Sequence, residues 1–127
     1  MILLDTSVIV EYWRKPTRDM EEALSRLNPC ICGVVLAELL QGARTEFDVV
    51  RTERALAGFH SVSIPEVVWR SLGLNQSALR KVGLKVPFQD VLLATVAIER
   101  GLELWTLDKH YSLIQPVLKG LRLFSLE

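Results

Sequence analysis

The chain is 127 residues long, half of them apolar, and its 15 basic and 15 acidic residues leave no formal net charge. That size and composition suit one compact domain over residues 1–127, able to bury a core without disulfides. Zero net charge excludes a global attraction to polyanions, so any nucleic-acid binding has to come from local patches. The start, Met1-Ile-Leu-Leu-Asp5, carries no basic leader, and no apolar run approaches the roughly 18 residues that span a bilayer. The expectation is a soluble, cytoplasmic protein with no membrane partner.

Short apolar runs alternate with longer segments of helical period, the pattern of an α/β domain built on a mainly parallel sheet. Ile2-Leu3-Leu4 reads as the first strand. A helix follows through Val8, Ile9, Tyr12 and Trp13, which share one face, and Pro16 ends it. A second helix is expected over Arg18 to Leu27, and Asn28-Pro29 breaks the chain before a strand over Cys30 to Gly33. Cys30 and Cys32 stand two apart in that strand, too distant for a relaxed disulfide and without further soft ligands, so both read as buried thiols. Helix resumes at once, with Val35, Leu36, Leu39 and Leu40 as its buried stripe and Glu38 off the stripe, towards solvent or a cleft.

A fourth helix is expected over Glu46 to Phe59, a strand over His60 to Ile64, and a helix opened by Pro65 that runs from Glu66 to about Val82. After a loop over 83–87, the segment Gln89 to Arg100 is apolar almost all round beyond its first turn, which predicts a central helix capped by Gly101. Leu102 to Thr106 reads as the fourth strand, Lys109 to about Leu118 as a Pro-interrupted helix and Leu121 to Phe124 as a closing strand.

Four acids stand at strand ends or on helices that start beside them: Asp5 after the first strand, Glu38 on the third helix, Asp90 in the first turn of the central helix and Asp108 past the fourth strand. In open parallel sheets the carboxyl ends of the strands converge on one ligand-binding edge. Taken singly, Asp5 and Asp108 could serve as caps, Asp90 as a first-turn acid and Glu38 as a solvated helix residue. Brought together they repel: at an effective dielectric near 20, a pair of unit charges about 4 Å apart costs roughly 4 kcal/mol. Such a cluster takes up protons or a hard divalent cation, and oxygen-only ligation favours Mg²⁺ or Mn²⁺. A cation there lowers the pKa of a bound water and neutralises charge on a phosphate, which is the chemistry of phosphodiester hydrolysis. No nucleophile elbow, Walker loop or reactive-cysteine signature competes. His60 and His110 are too few for a histidine metal site, and His110 reads as a surface residue.

In these contexts the sequence resembles the PIN-domain family, and especially the VapC-type toxins of toxin–antitoxin pairs. The opening Met-Ile-Leu-Leu-Asp5-Thr-Ser-Val-Ile is similar to the family's apolar strand followed by Asp-Thr/Ser-Ser. Val-Leu-Ala-Glu38-Leu-Leu-Gln-Gly-Ala resembles its second motif and Asp90-Val-Leu-Leu-Ala-Thr-Val-Ala-Ile-Glu-Arg-Gly-Leu its third. Leu104-Trp-Thr106-Leu-Asp108-Lys-His-Tyr111 resembles the fourth. The resemblance implies a three-layer α/β domain, its central parallel sheet of about five strands flanked by helices. It also implies an Mg²⁺- or Mn²⁺-dependent endoribonuclease with Asp5, Glu38, Asp90 and Asp108 as catalytic metal ligands. Ser7 and Thr106 match polar motif positions and are candidates to support those ligands or touch phosphate. Where many relatives carry a further acid just after the fourth, this chain has His110 and Tyr111, so a second metal would be weakly held or need the RNA phosphate.

The resemblance further implies a homodimer bound by a small antitoxin. Val8, Ile9, Tyr12, Trp13, Leu39 and Leu40, with Phe47, are the candidate apolar surface for it, and an inhibitor's Arg or Lys placed among the carboxylates would compete with metal. Arg14, Lys15 and Arg18, and separately Arg80, Lys81 and Lys85, are candidate guides for a phosphate backbone. Trp13, Trp69 and Trp105 read as core or interface residues ahead of base-stacking platforms. Two alternatives remain at this stage. A haloacid-dehalogenase-like phosphatase would need a second Asp where Ser7 stands, and a catalytically inactive PIN-like binding module would bind no metal.

Overall fold

In the computed structural model, which describes residues 1–126, β1 (Ile2–Leu4) leads into α1 (Thr6–Arg14) and α2 (Arg18–Arg26), and β2 (Pro29–Ile31) into α3 (Gly33–Gln41) and α4 (Glu46–Leu56). β3 (His60–Ser61) precedes α5 (Val67–Lys81) and α6 (Phe88–Arg100), and β4 (Glu103–Trp105), α7 (His110–Ile114) and β5 (Leu123–Phe124) follow. The strands form one parallel sheet in the order β3-β2-β1-β4-β5. Ile2 pairs with Pro29 on one side and Glu103 on the other, and Leu4 with Trp105. Right-handed crossovers put the helices between β1 and β3 on one face and those from α5 onward on the other. The expected three-layer arrangement follows.

Chain order runs outward from β1 through β2 to β3, then returns to place β4 on the other side of β1. The reversal lies between β1 and β4, and such a switch point leaves a crevice at the strands' carboxyl ends because the loops there leave towards opposite faces. β1, covered on both faces, is buried throughout. Residues Val91 to Ala97 of α6 are all buried, as expected for a helix through the centre. Its one buried hydroxyl is satisfied: Thr95 Oγ1 donates to Val91 O at 2.6 Å and accepts from Asn75 Nδ2 of α5 at 3.0 Å. Trp105 is core, edge-on to Phe124 at 5.1 Å between centroids, whereas Trp13 and Trp69 are exposed. Cys30 and Cys32 are free, buried thiols.

Boundaries differ from the sequence expectation where tertiary support runs out. β3 has only one neighbour, and its pairing ends once Val62 N has donated to Ile31 O. α4 stops at Leu56, ahead of the turn at Ala57-Gly58. α7 covers only His110–Ile114, since Pro116 has no amide hydrogen to continue it. The buried face of α3 also turns by one residue from the expected stripe: Val34 and Val35 are buried and Leu36 is exposed. Glu38 stands four residues after Val34 and three after Val35, so it shares their inward face and is half-buried.

Two candidate partner-surface residues are corrected here: Val8 and Ile9, at 0% and 1% exposure, are core and offer no surface. They point α1 onto the sheet. Tyr12 and Leu39 are half-buried against the core, Leu40 is half-buried, and Trp13 and Phe47 are exposed.

Gly101 closes α6 in the left-handed conformation (φ +66°), with its N–H on Ile98 O and that of Leu102 on Ala97 O. Gly101→Ala has room for its Cβ but carries the left-handed backbone cost of about 1–2 kcal/mol. Chemical denaturation should show that loss, with a smaller one for Gly101→Asn.

Candidate active site

Asp5 occupies the first position after β1 and is only 7% exposed. Its N–H still belongs to the sheet, donating to Trp105 O at 2.9 Å. Its side chain does not cap α1. Instead Oδ2 accepts two hydrogen bonds of 2.7 Å, from Ser7 Oγ and Thr106 Oγ1, and Oδ1 has no hydrogen bond among the described residues. The two hydroxyls are themselves tethered: Leu107 N donates to Ser7 Oγ and Asp108 N to Thr106 Oγ1, each at 3.0 Å. The loop after β4 is thus fastened to the turn after β1 through one carboxylate.

Glu38 and Asp90 meet Asp5 from the two helix layers, where α3 also packs on α6. Burial raises the Glu38 carboxyl above its usual range; a hydrogen bond of 3.0 Å from Thr6 Oγ1 opposes this, and the charges of Asp5 and Asp90 add to it. Burial likewise raises Asp90, His110 and Tyr111 hold it back, and Asp5 adds repulsion. Tyr111 OH donates to Asp90 Oδ1 at 3.3 Å, and burial followed by the surrounding carboxylates drives that hydroxyl's own pKa far up, so it remains a donor. Asp108 sits at the rim, where its Oδ1 accepts from His110 N at 3.2 Å. The carboxylate also lies against the His110 ring, whose Nδ1 is 2.7 Å away.

The predicted residues thus come together as Asp5, Glu38 and Asp90 inside and Asp108 at the edge, with Ser7 and Thr106 bonded to Asp5. Three further residues were missed. Thr6 is the hydroxyl partner of Glu38, Tyr111 that of Asp90, and His110 places Nε2 2.9 Å from Asp90 Oδ2 and Nδ1 2.7 Å from Asp108 Oδ1. The one available signal was the fourth motif, where His110 and Tyr111 replace an expected acid. Among the described residues, Asp90, Asp108 and His110 are the group whose ligand atoms all lie within 4.8 Å of one another, and a divalent cation there would ease the repulsion that adds to burial in raising Glu38 and Asp90.

Because Glu38 and Asp90 are raised in the folded state, they bind protons there at pH values where the unfolded chain has already released them. Their contribution to stability is therefore greatest below the ordinary carboxylate range, about pH 4, and is lost as pH rises through the raised values. Urea titrations in EDTA should show Glu38→Gln and Asp90→Asn gaining on the parent chain as pH rises to 7. A loss at pH 7 would make the two carboxylates structural.

The PIN domain model matches residues 2–115. Ribonuclease VapC11 of Mycobacterium tuberculosis is 28% identical over 92% of this chain and 93% of its own length. Among solved structures, VapBC-1 from nontypeable Haemophilus influenzae superposes with a TM-score of 0.83 at 21% identity, covering 99% of this chain and 98% of that one. A toxin–antitoxin complex from Klebsiella pneumoniae gives 0.70 at 22% identity, covering 100% and 98%. With its strand order, its switch-point carboxylates and a family match over nearly its whole length, the chain belongs to the PIN domain family.

Proposed function

We propose that the chain is a metal-dependent endoribonuclease, the toxin of a toxin–antitoxin pair, cutting single-stranded or loop RNA. The observation that carries the reading is the convergence of Asp5, Glu38 and Asp90 on the crevice between β1 and β4, with Glu38 and Asp90 raised by burial and by the nearby charge of Asp5. The ribonuclease relative supports it, since it aligns along nearly the whole of both chains. The phosphatase alternative finds no second acid: Ser7 fills that position and serves Asp5.

Mg²⁺ or Mn²⁺ would be held by Asp5, Glu38 and Asp90 with Asp108 at the rim, and would supply a Lewis acid for the phosphate and a water of lowered pKa. The chain's own part is to fix the acceptors. Ser7 and Thr106 lock one oxygen of Asp5 and leave the other for the ion, Thr6 steadies Glu38, and Tyr111 steadies Asp90. Arg80, Lys81 and Lys85 are exposed and available to a phosphate backbone.

The partner is a small antitoxin. Its surface is narrower than expected: Tyr12, Trp13, Leu39, Leu40 and Phe47 remain, beside a cleft lined by Trp13, Arg51, Thr52 and Ala55. The exposed apolar side chains Trp69, Leu74, Val82 and Phe88 suit a homodimer contact elsewhere. No helix among the described residues is long and apolar enough to cross a membrane, and we place the protein in the cytoplasm with its RNA.

Cleavage of a fluorescent single-stranded RNA should require Mg²⁺ or Mn²⁺ and stop in EDTA. Asp5→Asn and Asp90→Asn should each lower kcat by about 10²–10³-fold, the usual effect of removing one electrostatic element from a preorganised site. Full activity in chelator would overturn the metal mechanism.

Co-expression with the small open reading frame beside the gene should give a complex that Trp13→Ala weakens while RNA cleavage by the free protein persists. Unfolding of Trp13→Ala would instead make Trp13 a core residue.

A further inference from the structure

Among the described residues, one buried side-chain polar atom lacks a hydrogen-bond partner, and it lies in the site: His110 Nε2. It stands 2.9 Å from Asp90 Oδ2, close enough for a hydrogen bond, yet the ring N–H direction misses the oxygen. Nitrogen and oxygen therefore sit side by side rather than donor to acceptor. That is the relation of neighbouring ligands on one ion: with bonds near 2.1 Å, adjacent corners of an octahedron lie about 3 Å apart.

The imidazole is held without any ion. Tyr111 stacks on it, with centroids 5.0 Å apart and planes inclined by 19°, and the same tyrosine reaches Asp90 through its hydroxyl. One residue thus sets the position of both the ring and the carboxylate beside it. On the far side, Nδ1 is 2.7 Å from Asp108 Oδ1. Like Nε2 and Asp90, this pair is not aligned as a hydrogen bond, but with Nε2 on a metal the ring proton lies on Nδ1, and a carboxylate this close is placed to orient it, the usual arrangement around a ligating histidine. Asp108 suits this task better than direct ligation, because its Oδ1 already accepts from the His110 amide and its side chain is 44% exposed.

Resting on the metal-nuclease reading above, we infer that the centre has a mixed donor set, with His110 Nε2 joining Asp90 on the ion and Asp108 orienting the histidine. This turns the histidine that replaces a family acid into a ligand. It also sets ion preference. Mg²⁺ is small, gives up water reluctantly and favours oxygen, whereas a transition ion such as Mn²⁺ accepts imidazole nitrogen more readily. The site therefore binds Mn²⁺ in preference to Mg²⁺ because of His110.

The test is pulsed EPR of Mn²⁺ added to the whole chain labelled with ¹⁵N-histidine, with calorimetric titration of Mn²⁺ and Mg²⁺. The expected spectrum shows coupling to one histidine nitrogen, lost in His110→Gln, and Mn²⁺ binding at least about tenfold tighter than Mg²⁺, a preference that falls in the same variant. Asp108→Asn should keep the coupling while weakening Mn²⁺ affinity by about 10–100-fold, the usual cost of removing a ligand's orienting partner. Mn²⁺ that binds without histidine coupling overturns this inference and leaves the metal-nuclease reading standing. No binding of either ion overturns both.

Discussion

A nearly buried carboxylate at the point where the sheet reverses direction is the constraint around which the rest of the structure is arranged. Asp5 cannot be left uncompensated at 7% exposure. Its compensation comes from hydroxyls on two different segments, Ser7 in the first turn of α1 and Thr106 at the end of β4. Those hydroxyls in turn accept the amides of Leu107 and Asp108. A single charge thereby joins β1 to β4 at the edge where the crevice opens. The loop carrying Asp108 and His110 is fixed as a consequence. Compensation is one-sided, however, since both strong hydrogen bonds fall on Oδ2, and Glu38 and Asp90 bring more negative charge to the same place. Neutral donors stabilise Asp5 but do not remove the repulsion, which is eased either by protons on Glu38 and Asp90 or by a bound cation.

Much of this was legible in the sequence because the relevant signals are local. Ile2-Leu3-Leu4 ahead of Asp5 marks a strand buried on both faces, and the run from Val91 to Ala97 marks a helix with no solvent side. Gly101 marks its end through a conformation that glycine adopts without penalty. Asp5, Asp90, Ser7 and Thr106 inherit their positions from these elements, so placing the elements places the residues. Glu38 is marked by its motif, but the sequence leaves its direction open between solvent and a cleft. The buried stripe of α3 is defined by whichever hydrophobic residues meet the sheet, and Val34, Val35, Leu36, Leu39 and Leu40 offer two overlapping choices. A turn of one residue, about 100° around the helix axis, decides between a carboxylate facing out and one facing the crevice.

The same ambiguity misassigned Val8 and Ile9. An apolar face on α1 is equally compatible with core and with partner surface, and only the sheet's actual coverage separates them. His110 was hidden for another reason. Counting histidines tests for a site made of histidines and overlooks one imidazole inserted among carboxylates. Its neighbours are Asp108, two residues away, and Asp90, twenty residues away, and only the fold brings the second into reach. Tyr111 was hidden likewise, as a large apolar residue in a short helix whose hydroxyl turns out to serve Asp90.

Helix α1 ties these levels together. Its first turn carries Thr6 and Ser7, which hold Glu38 and Asp5, its middle is anchored by Val8 and Ile9, and its last turn presents Trp13 to the cleft shared with α4. At 1.5 Å of rise per residue, Ser7 and Trp13 are only about 9 Å apart along the axis. A protein segment seated on Trp13 and running along α1 is therefore about three extended residues from the turn that carries Ser7. Inhibition then needs no conformational change in the nuclease: the anchored middle of α1 keeps its two ends in register. A partner bound at one end can cover the other or extend a cationic side chain into it. The burial of Val8 and Ile9, which removes them from the docking surface, makes that register rigid.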